Sequence, residues 1–152
     1  MKISGKYALN TTTKVFWNMV MDPEVLEKVT PGIKELISQG EDNYKAISQV
    51  RVGPVKGEFT GTLAIKDKVE EESCLLVVDQ KSKMGNVIAE ISMKLLPQEE
   101  GQTLINYTGE AKMSGMLARM GQRIMSGVVS TLSKQFFQGI EKELQAQQSK
   151  SP

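Results

Sequence analysis

Apolar and polar residues alternate along most of this chain, and the period changes only near the C-terminus. The first alternation, with Ile3, Gly5, Tyr7 and Leu9 on one face, predicts a strand that ends at Asn10. Six further stretches of the same period predict strands at about 34–39, 44–52, 57–66, 74–82, 86–96 and 102–113. Turn residues separate these stretches, so the pattern favours an antiparallel meander.

Two short helices are predicted between the first two strands. Thr11–Thr13 can cap a helix whose apolar residues include Phe16 and Met19. Asp22–Glu24 supplies an N-cap, a proline in the first helical position and an acid near the positive end of a second helix. The run Thr30–Gly32 is expected to end that helix.

From about Gly115 to Gln147 the apolar residues recur mostly four apart, which predicts one unbroken helix. Its apolar stripe comprises Leu117, Met120, Ile124, Val128, Leu132, Phe136, Ile140 and Leu144. The fold class is therefore α+β: a curved seven-stranded antiparallel sheet around a long C-terminal helix, with two short helices after strand 1. We expect residues 1–147 to form a single ligand-binding domain and residues 148–152 a disordered tail.

A curled meander has a concave apolar face, and this helix is the only long element available to cover it. Because one helix rarely fills such a trough, the unfilled part is a candidate cavity for a hydrophobic ligand. Glycines 115, 121, 127 and 139 interrupt the helix, which predicts close approach by backbone or ligand. The predicted ligand-binding residues are Trp17, Leu26, Val50, Phe59, Leu63, Met84, Ala89, Tyr107, Met113, Leu117, Met120, Gly121, Ile124 and Val128.

Composition narrows the chemistry. The chain has no histidine, which excludes histidine-based nucleophile systems and histidine-bearing metal sites. Its one cysteine, Cys74, lies in an apolar strand, so a buried and unactivated thiol is expected. The predicted metals and cofactors are accordingly none. The net charge of +1 gives no reason to expect nucleic acid as a partner.

Localisation follows from similar exclusions. No apolar run approaches the roughly 18 residues of a membrane span, and Met1–Ser4 begins a strand pattern instead of a secretory segment. We therefore expect a cytoplasmic protein.

Charge is distributed unevenly over the predicted turns. Alternate loops of a meander lie at the same end, which brings together Gly53–Pro54, Met84–Gly85 and the segment 113–115. This end, the rim, has basic residues and methionines nearby, whereas the opposite end collects Glu and Asp. A basic rim around an apolar opening predicts reversible contact with an anionic membrane surface or an acidic partner. The alternative is that the turns are simply charged.

An enzymatic role has few candidate residues. Tyr107 on the inward face could donate a proton, and Glu58 and Glu110 are the carboxylates nearest the rim. Both glutamates alternate with the inward residues, so they should face solvent, and a lone buried tyrosine is more often a packed ring. We therefore expect a protein that is not an enzyme.

Several segments resemble one known family. They are 22–26 (DPEVL), 30–32 (TPG), 52–59 (VGPVKGEF) with Gly61, Leu117-Ala118, 121–124 (GQRI) and 135–137 (QFF). In this order they resemble the CoxG family, which takes its name from carbon monoxide dehydrogenase and belongs to the START-like (SRPBCC) helix-grip superfamily. The resemblance implies a sheet that grips the helix around a hydrophobic cavity.

The resemblance also implies an accessory role beside a molybdenum-containing carbon monoxide dehydrogenase or a related hydroxylase. Many relatives continue into a membrane anchor, whereas this sequence ends at Ser151-Pro152, so we expect reversible contact with the inner face of the membrane. A lipid or isoprenoid quinone is the expected ligand. The alternative is an adaptor that recruits or assembles the enzyme without a ligand, with Gln122 and Arg123 as a docking pair.

Overall fold

The computed structural model describes residues 1–149, in which seven strands form one antiparallel sheet in the order β1-β7-β6-β5-β4-β3-β2. The elements are β1 Lys2–Leu9, α1 Thr13–Val20, α2 Pro23–Val29, β2 Ile33–Ser38, β3 Asn43–Val52, β4 Val55–Val69, β5 Ser73–Ser82, β6 Gly85–Pro97, β7 Thr103–Met113, α3 Gly115–Arg119 and α4 Gln122–Ser149, with a 3₁₀ turn at Glu99–Gly101. The predicted fold class is confirmed.

The two short helices begin as their caps predict. The Thr12 side chain accepts a hydrogen bond from the Val15 N–H, and Asp22 accepts one from the Glu24 N–H at 3.0 Å. Pro23 occupies the first helical position of α2. Each cap satisfies a donor that the first turn would otherwise leave unpaired.

The prediction of one unbroken C-terminal helix is wrong. The chain is helical to Arg119, leaves the helix at Gly121 with φ +85°, and resumes at Gln122. Glycine tolerates this left-handed conformation because it has no Cβ. The restart changes which residues face the sheet: Ile124, predicted inward, is 44% exposed, and Met125 is buried in its place.

Close approach explains two of the four helix glycines. A Cβ at Gly139 would lie 3.1 Å from the Val29 Cα, and one at Gly115 would lie 3.1 Å from the Gly85 Cα. No neighbouring atom lies within 4 Å of a Cβ built at Gly121 or Gly127, so the prediction of close approach was wrong there. Nothing in the structure explains Gly127.

The C-terminal helix runs further than predicted. α4 extends to Ser149 and so includes the first two residues of the predicted tail 148–152. The remaining three, 150–152, lie outside the described residues.

The interior contains two main apolar clusters at opposite ends of the sheet. The distal cluster, away from the rim, joins α1, α2 and the second half of α4 to the sheet and includes Phe16, Ile105 and Ile140, all less than 1% exposed. The rim cluster is built around Phe59 and Leu117. α4 spans both clusters, and the strands nearest to it are β1 and β3. The central strands of the sheet therefore lie further from the helix than its flanks do.

Candidate functional site

The rim forms as the meander predicts, because its turns are joined by hydrogen bonds. The Leu117 N–H donates to the Met84 carbonyl oxygen at 3.0 Å, which ties α3 to the β5–β6 turn. The Ser114 N–H donates to the Asn86 carbonyl at 3.1 Å, and the Ser114 hydroxyl accepts from the Asn86 N–H at 3.0 Å. α3 is thus held against the β5–β6 hairpin.

The sheet opens between β4 and β5 at the rim. Their pairing ends at Thr60 and Lys81, although β4 begins five residues earlier at Val55. An open groove of about 630 Å³ occupies the gap between the two hairpins. It is lined by Lys56, Gly57, Glu58, Lys81, Ser82, Lys83 and Met84.

Met84 closes part of this groove. Its thioether sulfur accepts a hydrogen bond from the Lys56 N–H at 3.3 Å, in place of the ladder bonds that end at Thr60. A thioether is a weak acceptor on a flexible side chain. The contact between the hairpins is therefore easier to break than a backbone ladder would be.

A second open groove, of about 470 Å³, lies where β7 meets the break between α3 and α4. It is lined by Met1, Ala111, Lys112, Met113, Ala118, Gly121 and Gln122. The left-handed backbone at Gly121 thus forms part of a groove wall, which is the feature of that glycine that the helix-period pattern could not reveal.

The predicted ligand-binding residues divide between the clusters. Seven lie in or against the rim cluster: Val50, Phe59, Met84, Met113, Leu117, Met120 and Val128. Trp17 and Leu26 are buried in the distal cluster instead, 5% and 6% exposed, where they pack α1 and α2. Leu63 and Tyr107 pack against the distal cluster, and Ala89 belongs to a small third cluster with Ile3 and Ala111. Ile124 belongs to none of these clusters.

The middle of the concave face is incompletely buried. Leu63, Val78 and Ile91 point inward, yet each is only half-buried. Their neighbours across the strands include Ala89 and Gly109, which have little or no side chain. Accessible apolar surface in the centre of a sheet that a helix bridges is the feature expected of a ligand-binding face.

Sequence reasoning missed one inward polar residue, Gln80. It follows Cys74, Leu76 and Val78 at the same strand parity, and its Oε1 is buried with no hydrogen-bond partner. A polar residue at an inward position of an otherwise apolar alternation was the signal that could have identified it.

The enzymatic candidates lie apart. Glu58 and Glu110 are exposed, as their parity predicted, and Glu58 forms an ion pair with Lys34 at 3.3 Å. Tyr107 packs its ring against Phe137, with ring centroids 5.9 Å apart. Within residues 1–149 there is no group of three or more acidic or cysteine side chains that could hold a metal ion.

Two titratable side chains near the distal cluster have shifted pKa values. The Tyr7 hydroxyl donates to the Glu141 carboxylate, and this hydrogen bond raises the pKa of Tyr7. Burial raises the pKa of the Cys74 thiol to about 11. The thiolate form is disfavoured, which fits the predicted unactivated cysteine.

The surface of the rim is basic and partly apolar. Arg51, Lys56, Lys81, Lys83, Lys112 and Arg119 are all exposed there. On the α3–α4 segment Met116 is 53% exposed and Ile124 is 44% exposed. None of the helices in the described part of the chain has the length and apolar character needed to cross a membrane.

Residues 5–145 match the model of the CoxG family of carbon monoxide dehydrogenase. A conserved protein from Geobacillus kaustophilus has a similar structure, with 33% identity, 96% coverage of each chain and a TM-score of 0.93. A START superfamily protein from Mycobacterium smegmatis shares the fold at 9% identity, with 95% and 97% of the two chains covered and a TM-score of 0.76. No curated protein matches the chain.

Proposed function

The chain belongs to the CoxG family of carbon monoxide dehydrogenase, and we propose that it is a non-catalytic carrier of a lipophilic small molecule. The carrier serves a molybdenum-containing dehydrogenase of the carbon monoxide dehydrogenase type. A lipid or an isoprenoid quinone is the proposed ligand. The observation that supports this most is the half-buried apolar centre of the concave face, which adjoins an open groove at the rim.

The geometry favours binding because the helix and the sheet approach each other unevenly. α4 lies nearest to β1 and β3, which flank the sheet centre. Between these two lines of approach, the inward residues Leu63, Val78 and Ile91 retain exposed surface. A lipophilic ligand inserted there would remove this surface from water, which is favourable by about 25 cal/mol per Å².

Methionines give this region the capacity to adapt. Met84, Met113 and Met120 are half-buried against the rim cluster. Unbranched thioethers repack around ligands of different shape at little cost. Displacement of the Met84 sulfur from the Lys56 N–H would widen the gap between the hairpins, so we assign ligand entry to the groove between β4 and β5.

The rim is also the proposed docking surface for the inner face of the membrane. Met116 and Ile124 expose apolar side chains on the same segment as the exposed Arg119 and Arg123. Basic residues near an anionic surface each contribute about 1 kcal/mol, and apolar side chains add insertion energy. Reversible docking would bring the groove to the lipid phase from which the ligand is taken.

Organic extraction of the protein purified from its native host tests the carrier function. Mass spectrometry of the extract should detect a lipophilic molecule in stoichiometric amount, and the extracted protein should bind it again in titration. An empty extract together with no binding of lipids or quinones would contradict the proposal and leave the adaptor function.

Membrane docking has a separate test. Sedimentation with phosphatidylglycerol vesicles should retain the wild type at low salt and release it as salt rises. Replacing Lys81, Lys83 and Arg119 with glutamate should abolish retention. The same change at Lys45, Lys66 and Lys94, which are exposed elsewhere on the sheet, should leave most of it. Equal loss in both triple variants would contradict docking through the rim.

A further inference from the structure

Gln80 is a polar residue in an apolar row. On the neighbouring strands it lies opposite Gly61 of β4 and Val87 of β6, and neither side chain has a hydrogen-bonding group. Its Oε1 is fully buried and has no partner among the described residues. Buried polar atoms are nearly always paired in folded proteins, so each exception calls for an explanation.

We propose that Gln80 anchors the polar head of the lipophilic ligand, with its Oε1 accepting a hydrogen bond from a ligand hydroxyl. This inference rests on the proposed carrier function. An acceptor requires a donor, so the ligand class is a lipophilic alcohol or phenol, which includes the reduced, hydroxyl-bearing form of a quinone. A ligand with only carbonyl oxygens has no donor for this atom.

The position of Gln80 gives the ligand an orientation. The pair Gly61–Gln80 is next to the last pair, Thr60–Lys81, before β4 and β5 separate. Gln80 therefore lies just inside the groove whose wall includes Lys81 and Ser82. The hydroxyl would bind near the rim, and the apolar part of the ligand would extend along the sheet toward Val78 and Leu76.

Free energy also separates a binding role from a structural one. An unpaired buried acceptor destabilises the free protein, and replacing it with an apolar group of similar shape is neutral or stabilising. Gln80→Leu should therefore leave the unfolding midpoint of the free protein unchanged or raised. A residue kept for the fold would give the opposite result.

A matched pair of ligands tests the anchor in the full-length protein. 4-Hexylphenol carries a hydroxyl where 1-hexyl-4-methylbenzene carries a methyl group of similar size. Affinities for both would be measured by displacement of a fluorescent lipophilic probe. Relative to Gln80→Leu, the wild type should favour the phenol by about tenfold, the contribution of one buried hydrogen bond. Gln49→Leu, the same change at an exposed position of β3, should keep the wild-type preference.

The outcomes separate the two proposals. If the wild type binds neither compound, the carrier function itself is contradicted. If it binds both, and the phenol preference is the same in Gln80→Leu, the carrier function stands and the anchor is overturned. A Gln80→Leu or Gln80→Met variant that loses stability and binds both compounds equally weakly would also overturn the anchor, because Gln80 would then be structural.

Discussion

Substitution of Val78 by phenylalanine tests whether the concave face has room for a ligand. Val78 is half-buried and lies between Leu63 and Ala89 in the strand register. If the space is unfilled, the ring should bury about 40 Å² of additional apolar surface, which would stabilise the fold by about 1 kcal/mol. If the face is solidly packed, the larger side chain should cost about 1–3 kcal/mol.

The matched control is the same substitution at Val55, which is 2% exposed in the rim cluster and should show the full overpacking cost. Urea unfolding followed by the fluorescence of Trp17 gives both values. With an m-value of about 2 kcal/mol/M, the midpoint should rise by up to about 0.5 M for Val78→Phe and fall by about 0.5–1.5 M for Val55→Phe.

Ligand uptake completes this test. Val78→Phe should lose binding of a lipophilic probe while the protein remains at least as stable as the wild type. Equal destabilisation by the two substitutions would show that the centre of the sheet is packed like the rest of the core. In that case the carrier reasoning fails, and the adaptor function becomes the better account.

Three further predictions concern stability and reactivity. Thr103→Val should destabilise the fold by about 1–3 kcal/mol in urea unfolding, because the fully buried Thr103 hydroxyl donates to the Thr11 carbonyl at 2.7 Å. Cys74, with a pKa of about 11 against 9.0 for the free thiol, should react with Ellman's reagent at pH 8 at least about 100-fold more slowly in the native than in the unfolded protein. The pKa of Tyr7 is raised by its bond to Glu141, so the stabilisation it gives should be complete below about pH 10 and be lost as the pH rises through the raised value. Urea unfolding of Tyr7→Phe should therefore converge with the wild type only at alkaline pH.

Each of these predictions has an internal control. Thr108→Val, at an exposed position of β7, should change stability by less than about 0.5 kcal/mol. Tyr44 also has a raised pKa, from burial, but it is present in both proteins of the tyrosine comparison and cancels. Rapid reaction of Cys74 in the native protein, or a pH-independent gap between Tyr7→Phe and wild type, would contradict the corresponding argument.

The strands were predictable because their side chains alternate between a buried and a solvated face. Val87, Ala89 and Met93 are more buried than the exposed residues between them, Ile88 and Glu90, as the period requires. The caps of α1 and α2 were predictable for a local reason, since Thr12 and Asp22 act on donors within three residues. Local chemistry therefore determined most of the element order.

The break at Gly121 was not predictable from the same kind of pattern. Apolar residues recur through it at helical spacing, and an interior glycine costs only about 1 kcal/mol, so a glycine alone does not indicate a break. What distinguishes Gly121 is its φ of +85°, a property of the folded backbone. The error in placing Ile124 follows directly, because the stripe was extended across a change of helix.

The openings of the sheet depend on interactions between strands, which periodicity does not contain. Alternation in β4 runs unchanged past Thr60, yet pairing with β5 stops there. The missing partner is a matter of where the β5–β6 turn falls, and its geometry is set by the contact of Gly85 with Ser114 and of Met84 with Leu117. The groove and the position of Gln80 beside it emerge only when the hairpins are placed together.

The separation of the two clusters allows stability and binding to be divided within one small domain. The distal cluster holds α1, α2 and α4 through fully buried residues and the stacked rings of Tyr7 and Phe137, whose centroids are 4.7 Å apart. The rim has half-buried methionines, a thioether contact and an interrupted helix, all of which are inexpensive to rearrange. A ligand that enters at the rim would therefore displace contacts that contribute little to folding. For that reason, substitutions at the distal end should alter unfolding without altering ligand preference, whereas Gln80 should do the reverse.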